Sequence, residues 1–311
     1  MVRPVLDAPA SWEQAAHALA VRLAEPRAFP MLRAVHAPAL EGGWALGAVD
    51  GGSALVLEGG GLAVGAVRAG ALAWRRGALA WERAGPLEVR VLDDALAAEL
   101  EGLLPGLPPP EGPAALLERL RARREWEHAM ALAAQLGDGD VLALDGPLAQ
   151  RDWPAALRAE LARACARGGV LLAGVCKSTS TTLEGIPALL AAARAGRGVA
   201  EPWLAAIPSP GPDLQAVAAR FLRGGRVFKV ELWRSADPAE AVAKLAPWTL
   251  DAATPGYPFP LALAHNRCAL DEGLVEDLAH ALREAAGRRG VDADTWEEVF
   301  GDFHDVLDRG V

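Results

Sequence analysis

The sequence predicts an α/β fold: a mixed sheet flanked by helices, with further helices at both ends. Three observations carry that expectation. Short apolar runs joined by Gly-rich turns fill residues 44–92, the pattern of an antiparallel meander. Two later apolar runs, 141–145 and 170–176, alternate with helical stretches, the pattern of strand–helix–strand units. Hydrophobic residues make up 52% of the 311, enough to fill a sizeable core under such a sheet.

Taken in order, Ser11-Trp12-Glu13-Gln14 has the form of a capping box and opens an amphipathic helix to about Ala24, with Pro26 and Pro30 ending it. Trp44 to Val49 is the first strand. Gly59 to Gly61 turns the chain into runs at 62–67 and 71–74, and Leu87 to Leu92 follows. Asp93-Asp94 opens a helix to about Leu103. The Pro/Gly stretch 105–113 leads into a long helix from Ala114 to about Leu136, dense in charge between Glu118 and His128. Most of its arginines fit a solvated face, while Glu125 or Glu127 can point inward. A strand at 141–145, a helix from about Asp152 to Gly168-Gly169 and a strand at 170–176 come next. A helix over 184–195, a strand at 226–233, a short helix at 238–245 and two closing helices, about 272–288 and 294–308, complete the chain. The boundaries suggest one domain over 1–311: an N-terminal helical arm to about 40, a core over about 41–270 and C-terminal helices over about 271–311.

Composition narrows the function. A net charge of −9 argues against a protein that wraps nucleic acid by global attraction, but leaves room for a local basic groove. Cys165, Cys176 and Cys268 form no CxxC pair, so neither a disulfide framework nor a zinc site is expected, and all three read as packing residues of a cytoplasmic protein. No signal-like N-terminus and no uncharged run of about 18 apolar residues is present, so no membrane association is expected.

Val49-Asp50-Gly51-Gly52-Ser53 and Leu144-Asp145-Gly146 each close an apolar run on Asp-Gly. One reading is a pair of Asp-Gly turns. The other is chemical. Strands of this order (antiparallel strands, helix, strand, helix, strand) fit a ribonuclease H-like sheet, in which the first and fourth strands lie parallel and adjacent. Asp50 and Asp145 then meet at the sheet's carboxyl edge, and the long helix can add a Glu. Carboxylates that close repel unless a cation lies between them, and hard divalent ions take oxygen ligands. One or two Mg²⁺ or Mn²⁺ ions at such a site perform in-line phosphodiester chemistry. Lys177, at the end of the 170–176 strand, is suited to contact a phosphate or else snorkels into solvent. Tyr257, the only tyrosine, places a hydroxyl near phosphate or packs as a ring. His128 reads as an ordinary helix histidine.

Together with Gly174-Val175-Cys176-Lys177-Ser178 and Gly256-Tyr257-Pro258-Phe259-Pro260-Leu261 running to His265, the two Asp-Gly motifs resemble the NurA family of prokaryotic DNA-repair nucleases over about 44–270. The resemblance implies a ribonuclease H-like fold and a homodimer that works with a hexameric HerA-type translocase ATPase. It also implies a Mn²⁺- or Mg²⁺-dependent deoxyribonuclease, a 5′–3′ exonuclease and single-strand endonuclease in end resection. Asp50, Asp145 and His265 would be metal ligands with Glu125, the better fit to the family than Glu127, which lies about 200° round the helix from it. Arg124 would orient Glu125 or meet phosphate. Pro147 departs from the family's usual serine. Two other readings are a sugar kinase-like ATPase with the same core, disfavoured by the lack of a second Gly-rich phosphate loop, and a non-catalytic adaptor for a motor ATPase, which has no need of two strand-end aspartates.

Overall fold

A computed structural model describes residues 9–22, 31–37 and 43–301. Its centre is a pair of parallel strands, β2 (Ala45–Gly59) and β6 (Val141–Asp145), with β1 being the short edge strand Leu32–Ala34. On one side of the pair, β2 continues antiparallel into β3 (Leu62–Arg75) and β4 (Ala78–Ala84), with β5 (Glu88–Val91) also on β3. On the other side come β7 (Leu171–Cys176), parallel to β6, and then β12 (Phe228–Trp233), β11 (Leu214–Arg220) and β10 (Trp203–Ile207), all antiparallel, ending at β1. The result is a ten-stranded mixed sheet with the expected ribonuclease H-like core. A separate two-stranded hairpin, β8 (Thr182–Leu183) and β9 (Ile186–Pro187), precedes α5 (Ala188–Ala195).

Strand alternation sorts the core into two layers. Leu46, Ala48, Val141 and Ala143 face α6 (Pro238–Leu245) and α7 (Phe259–Cys268). Ala45, Val49, Leu142 and Leu144 face α3 (Pro113–Ala133) and α4 (Ala155–Arg167). Helix α2 (Asp94–Leu103) packs with α3 beside the outer part of β3, and α5 covers β10 and β11.

Asp140, 1% exposed, fixes the register of the central pair. Its carboxylate accepts from Ala45 N at 2.7 Å and Gly137 N at 2.9 Å, and Arg75 Nη2 binds it at 2.6 Å. Five residues beyond Ala45 and Asp140 stand Asp50 and Asp145, and the parallel pairing stops with Val49 opposite Leu144, just before them. A one-residue slip would turn one carboxylate to the opposite face.

Several boundaries differ from expectation. Asp50 does not end its strand: β2 runs on to Gly59, paired only with β3 after Val49. The runs 62–67 and 71–74 are one strand, because Arg68-Ala69-Gly70 stays paired with Gly52-Gly51-Asp50. Arg76 and Gly77, both at positive φ, form a tight turn into the unexpected β4. Helix α1 is Pro9–Arg22, so Ser11 lies inside it rather than capping it; Pro26 and Pro30 fall outside the described residues. Helices α8 (Glu272–Gly287) and α9 (Ala293–Phe300) start from the side-chain caps Asp271 and Asp292. The expected extension of the last helix to 308 falls outside the described residues. Among the described residues no helix is long and apolar enough to cross a membrane.

Candidate metal centre

The two aspartates leave β2 and β6 on the face that carries α7, and α7 brings His265 to them. His265 Nδ1 lies 2.8 Å from Asp50 Oδ2 and 3.7 Å from Asp145 Oδ2. One donor atom from each of the three residues can be chosen so that all lie within 4.8 Å of one another, close enough to share one ion. Oxygen, oxygen and imidazole nitrogen form a donor set suited to Mn²⁺ or Mg²⁺.

The Asp145 carboxylate is held by two further groups. Tyr257 donates its hydroxyl to Oδ1 at 2.8 Å, and Lys177 donates Nζ to Oδ2 at 2.7 Å. The ammonium also lies 5.3 Å from the centre of the Tyr257 ring. The Lys177 side chain is 46% exposed and that of His265 52%, whereas those of Asp50 and Asp145 are 7% and 5% exposed. The acidic floor is therefore dry, and its basic rim is open.

Burial, and then the charge of Asp145, push the Asp50 carboxyl from 3.8 up to about 6, although the hydrogen bond with His265 pulls the other way. Burial and Asp145 also hold the Tyr257 phenol far above its ordinary value, so it serves as a hydrogen-bond donor. Asp50 is thus destabilised as an anion, the condition a divalent cation relieves.

Glu125 is buried and approaches from the other side of β2, while Glu127 is paired on the surface with Arg123 and Arg124. Glu125 is not one of the three donors that converge. Its Oε1 accepts from Arg121 Nη1 at 2.6 Å and its Oε2 from Gln150 Nε2 at 3.1 Å. Burial drives Glu125 up to about 7 against the opposing pull of Arg121. Gly51 gives it room: a Cβ there would lie 2.7 Å from Glu125 Oε1. At Gly52 a Cβ would meet the Cys268 carbonyl at 2.1 Å, so α7 rests directly on the β2 backbone. Both glycines, turn formers by sequence pattern, are sites of close approach.

Arg124 does not orient Glu125; it is held by Glu88 and Glu127, and Arg121 has the orienting position. Arg119 is committed to the Pro108 carbonyl and Asp152, and Arg123 to Glu127 and the Trp126 ring. His128 is buried with its Nδ1 unpartnered among the described residues. Sequence reasoning also missed the support of the loop after Asp145. Glu231, fully buried, accepts from Ala149 N at 2.9 Å and pairs with Lys229 at 2.6 Å. A Lys and a Glu alternating with apolar residues in a central strand were the available signal.

The model of the NurA domain matches residues 45–270, well over half the sequence. The chain belongs to the NurA family. Its fold resembles the crystal structure of the NurA nuclease from Sulfolobus solfataricus, with a TM-score of 0.63 at 15% identity over 93% of this chain and 98% of that one. A second NurA crystal structure aligns with a TM-score of 0.51 at 12% identity, over 88% and 97% of the two chains. No curated protein sequence matches the chain. The six candidate residues read from the sequence lie around the middle of β2 and the ends of β6 and β7, with Glu125 on α3 and His265 on α7. Burial pushes each of the three cysteines up to about 12, which leaves them as inert packing residues.

Proposed function

We propose that this NurA-family chain is a Mn²⁺- or Mg²⁺-dependent nuclease that hydrolyses DNA phosphodiester bonds at ends and in single strands. In this reading, residues 1–311 act as one unit, a cytoplasmic homodimer serving end resection with a HerA-type hexameric ATPase. The observation that carries the chemistry is the convergence of Asp50, Asp145 and His265 donor atoms within 4.8 Å, just past the point where the parallel pairing of β2 and β6 stops. The dimer, the ATPase partner and the 5′–3′ polarity rest on family analogy alone.

Asp50, Asp145 and His265 would hold the ion, with Glu125 as a further ligand. The ion, when bound, supplies Lewis-acid activation of the phosphate and of water. The remaining steps belong to the side chains. Tyr257, its phenol kept protonated, fixes the orientation of Asp145 by donating its one proton to Oδ1. Lys177 is exposed enough to turn its ammonium from Asp145 to the non-bridging oxygens of an arriving phosphate. Arg121 and Gln150 hold Glu125 against β2. Glu231 anchors the loop behind Asp145 through Ala149 N, which keeps that carboxylate from drifting.

Cleavage of a labelled single-stranded oligonucleotide tests the reading. With Mn²⁺ the full chain should cut it. An excess of chelator should abolish cutting, and re-addition of Mn²⁺ should restore it. Cutting that persists in chelator, or none under any divalent ion, would refute the proposal.

A further inference from the structure

A cleft of about 1120 Å³ opens at the same edge of the sheet as Asp50 and Asp145. It lies beyond β7 and β12, at the end of β11, about 14 Å from β6 by strand spacing. Arg197, Arg220 and Arg223 line it, against a single carboxylate, Glu201. Arg220 reaches Glu201 only at 3.8 Å, and its buried Nε has no hydrogen-bond partner among the described residues. Its guanidinium is 5.3 Å from the centre of the Trp203 ring. The terminal nitrogens of this half-buried guanidinium, held by a single long contact to Glu201, are the donors an oxyanion in the cleft can take. The other walls are apolar, among them Phe221, Pro247 and Leu250, the last 69% exposed. Three arginines against one glutamate in a chain of net charge −9 mark a local departure from the global charge.

The cleft is joined to the metal centre. Phe221 stacks on Phe228 with centroids 6.2 Å apart, and Phe228 meets Tyr257 at 5.2 Å. Tyr257 in turn binds Asp145. The wall at 246–250 leads along the chain to Tyr257, and the backbones of Gly225 and Gly256 touch between the two loops. Arginine donors beside apolar surface match a phosphate with its base, the combination used by proteins that track a single strand.

We propose that this cleft is a subsite for one phosphate and base of the single DNA strand whose scissile bond lies at Asp50 and Asp145, a few nucleotides away. The proposal rests on the nuclease reading above.

The test compares the full chain with Arg223→Glu and Arg197→Glu, both at exposed positions that leave the core intact, and with Arg220→Gln. Cleavage of a dodecamer and of a trinucleotide is followed in Mn²⁺ at several salt concentrations. The dodecamer's kcat/KM should fall roughly tenfold for each arginine replaced. Its salt dependence should flatten by about 0.7 in log–log slope for each phosphate-binding charge removed. Trinucleotide cleavage, confined to the metal centre, should stay within about twofold of the parent. Equal losses on both substrates, or none on either, overturn the subsite. So does a free deoxynucleotide monophosphate that alters trinucleotide cleavage by the parent but not by Arg223→Glu, which would make the cleft an effector site. If the parent cuts neither substrate, the nuclease reading itself has failed and the subsite falls with it.

Discussion

The Asp50→Asn variant is expected to lose nuclease activity by about a thousandfold or more, and at neutral pH to be more stable than the parent. The first effect follows from removing a charged ligand from a three-donor site; several kcal/mol of transition-state stabilisation goes with it. The second follows from the electrostatics of the site. Asp50 is raised from 3.8 to about 6 in the folded chain. Between those values the native state holds a proton that the unfolded state has released. Stability from this group therefore falls as pH rises from about 4 to about 6, and above that the full cost remains, up to about 3 kcal/mol. Asparagine removes the cost. The variant should unfold at higher urea than the parent at pH 7.5, and the gap should narrow as pH falls from about 6 and close below about pH 4, where Asp50 becomes neutral in both states. Saturating Mn²⁺ should reverse the order, because it stabilises only the protein that binds it. A variant less stable than the parent at pH 7.5 in chelator would show that Asp50 is a structural carboxylate.

Arg121→Met is expected to cost about 3–5 kcal/mol at pH 8, the penalty for stranding one member of a buried ion pair. Burial opposes the Arg121 charge, but Glu125 and Glu118 beside it more than compensate and hold the guanidinium protonated. Without it, Glu125, already at about 7, moves higher still. The sign is that of a raised carboxyl: the variant's deficit should shrink toward pH 5, where Glu125 takes up a proton. Arg121→Met combined with Glu125→Gln should recover most of the lost stability, since no buried charge is left alone. It should not recover cleavage if Glu125 is a ligand. Recovery of both would reduce Glu125 to a packing partner of Arg121. Urea midpoints at pH 5 and 8, with activity on the same samples, separate these outcomes.

The central chemistry is legible in the sequence because buried strands write themselves plainly. Val141–Asp145 and Leu171–Cys176 are uninterrupted apolar runs flanked by turns, and their order specifies the parallel pair. Strands β10 and β11 leave no such mark, since WLAAI and LQAVAAR are rich in alanine, which signals neither period strongly. The end of β2 is hidden for a different reason. Gly51 and Gly52 look like a turn but remain extended, because Glu125 and the Cys268 carbonyl occupy the space a side chain would need. Arg121 and Arg124 stand three apart on one helix, and only tertiary packing decides which of them meets Glu125. Asp140 looks like part of a loop, since nothing local announces that its carboxylate will bind the start of a neighbouring strand.

Anomalous diffraction at the manganese edge, from crystals of the full chain grown with Mn²⁺, tests the central claim most directly. A peak within about 2.6 Å of a carboxylate oxygen of both Asp50 and Asp145 is the predicted result. A peak that touches neither, or no peak while Lys177 and Tyr257 remain bound to Asp145, would contradict it.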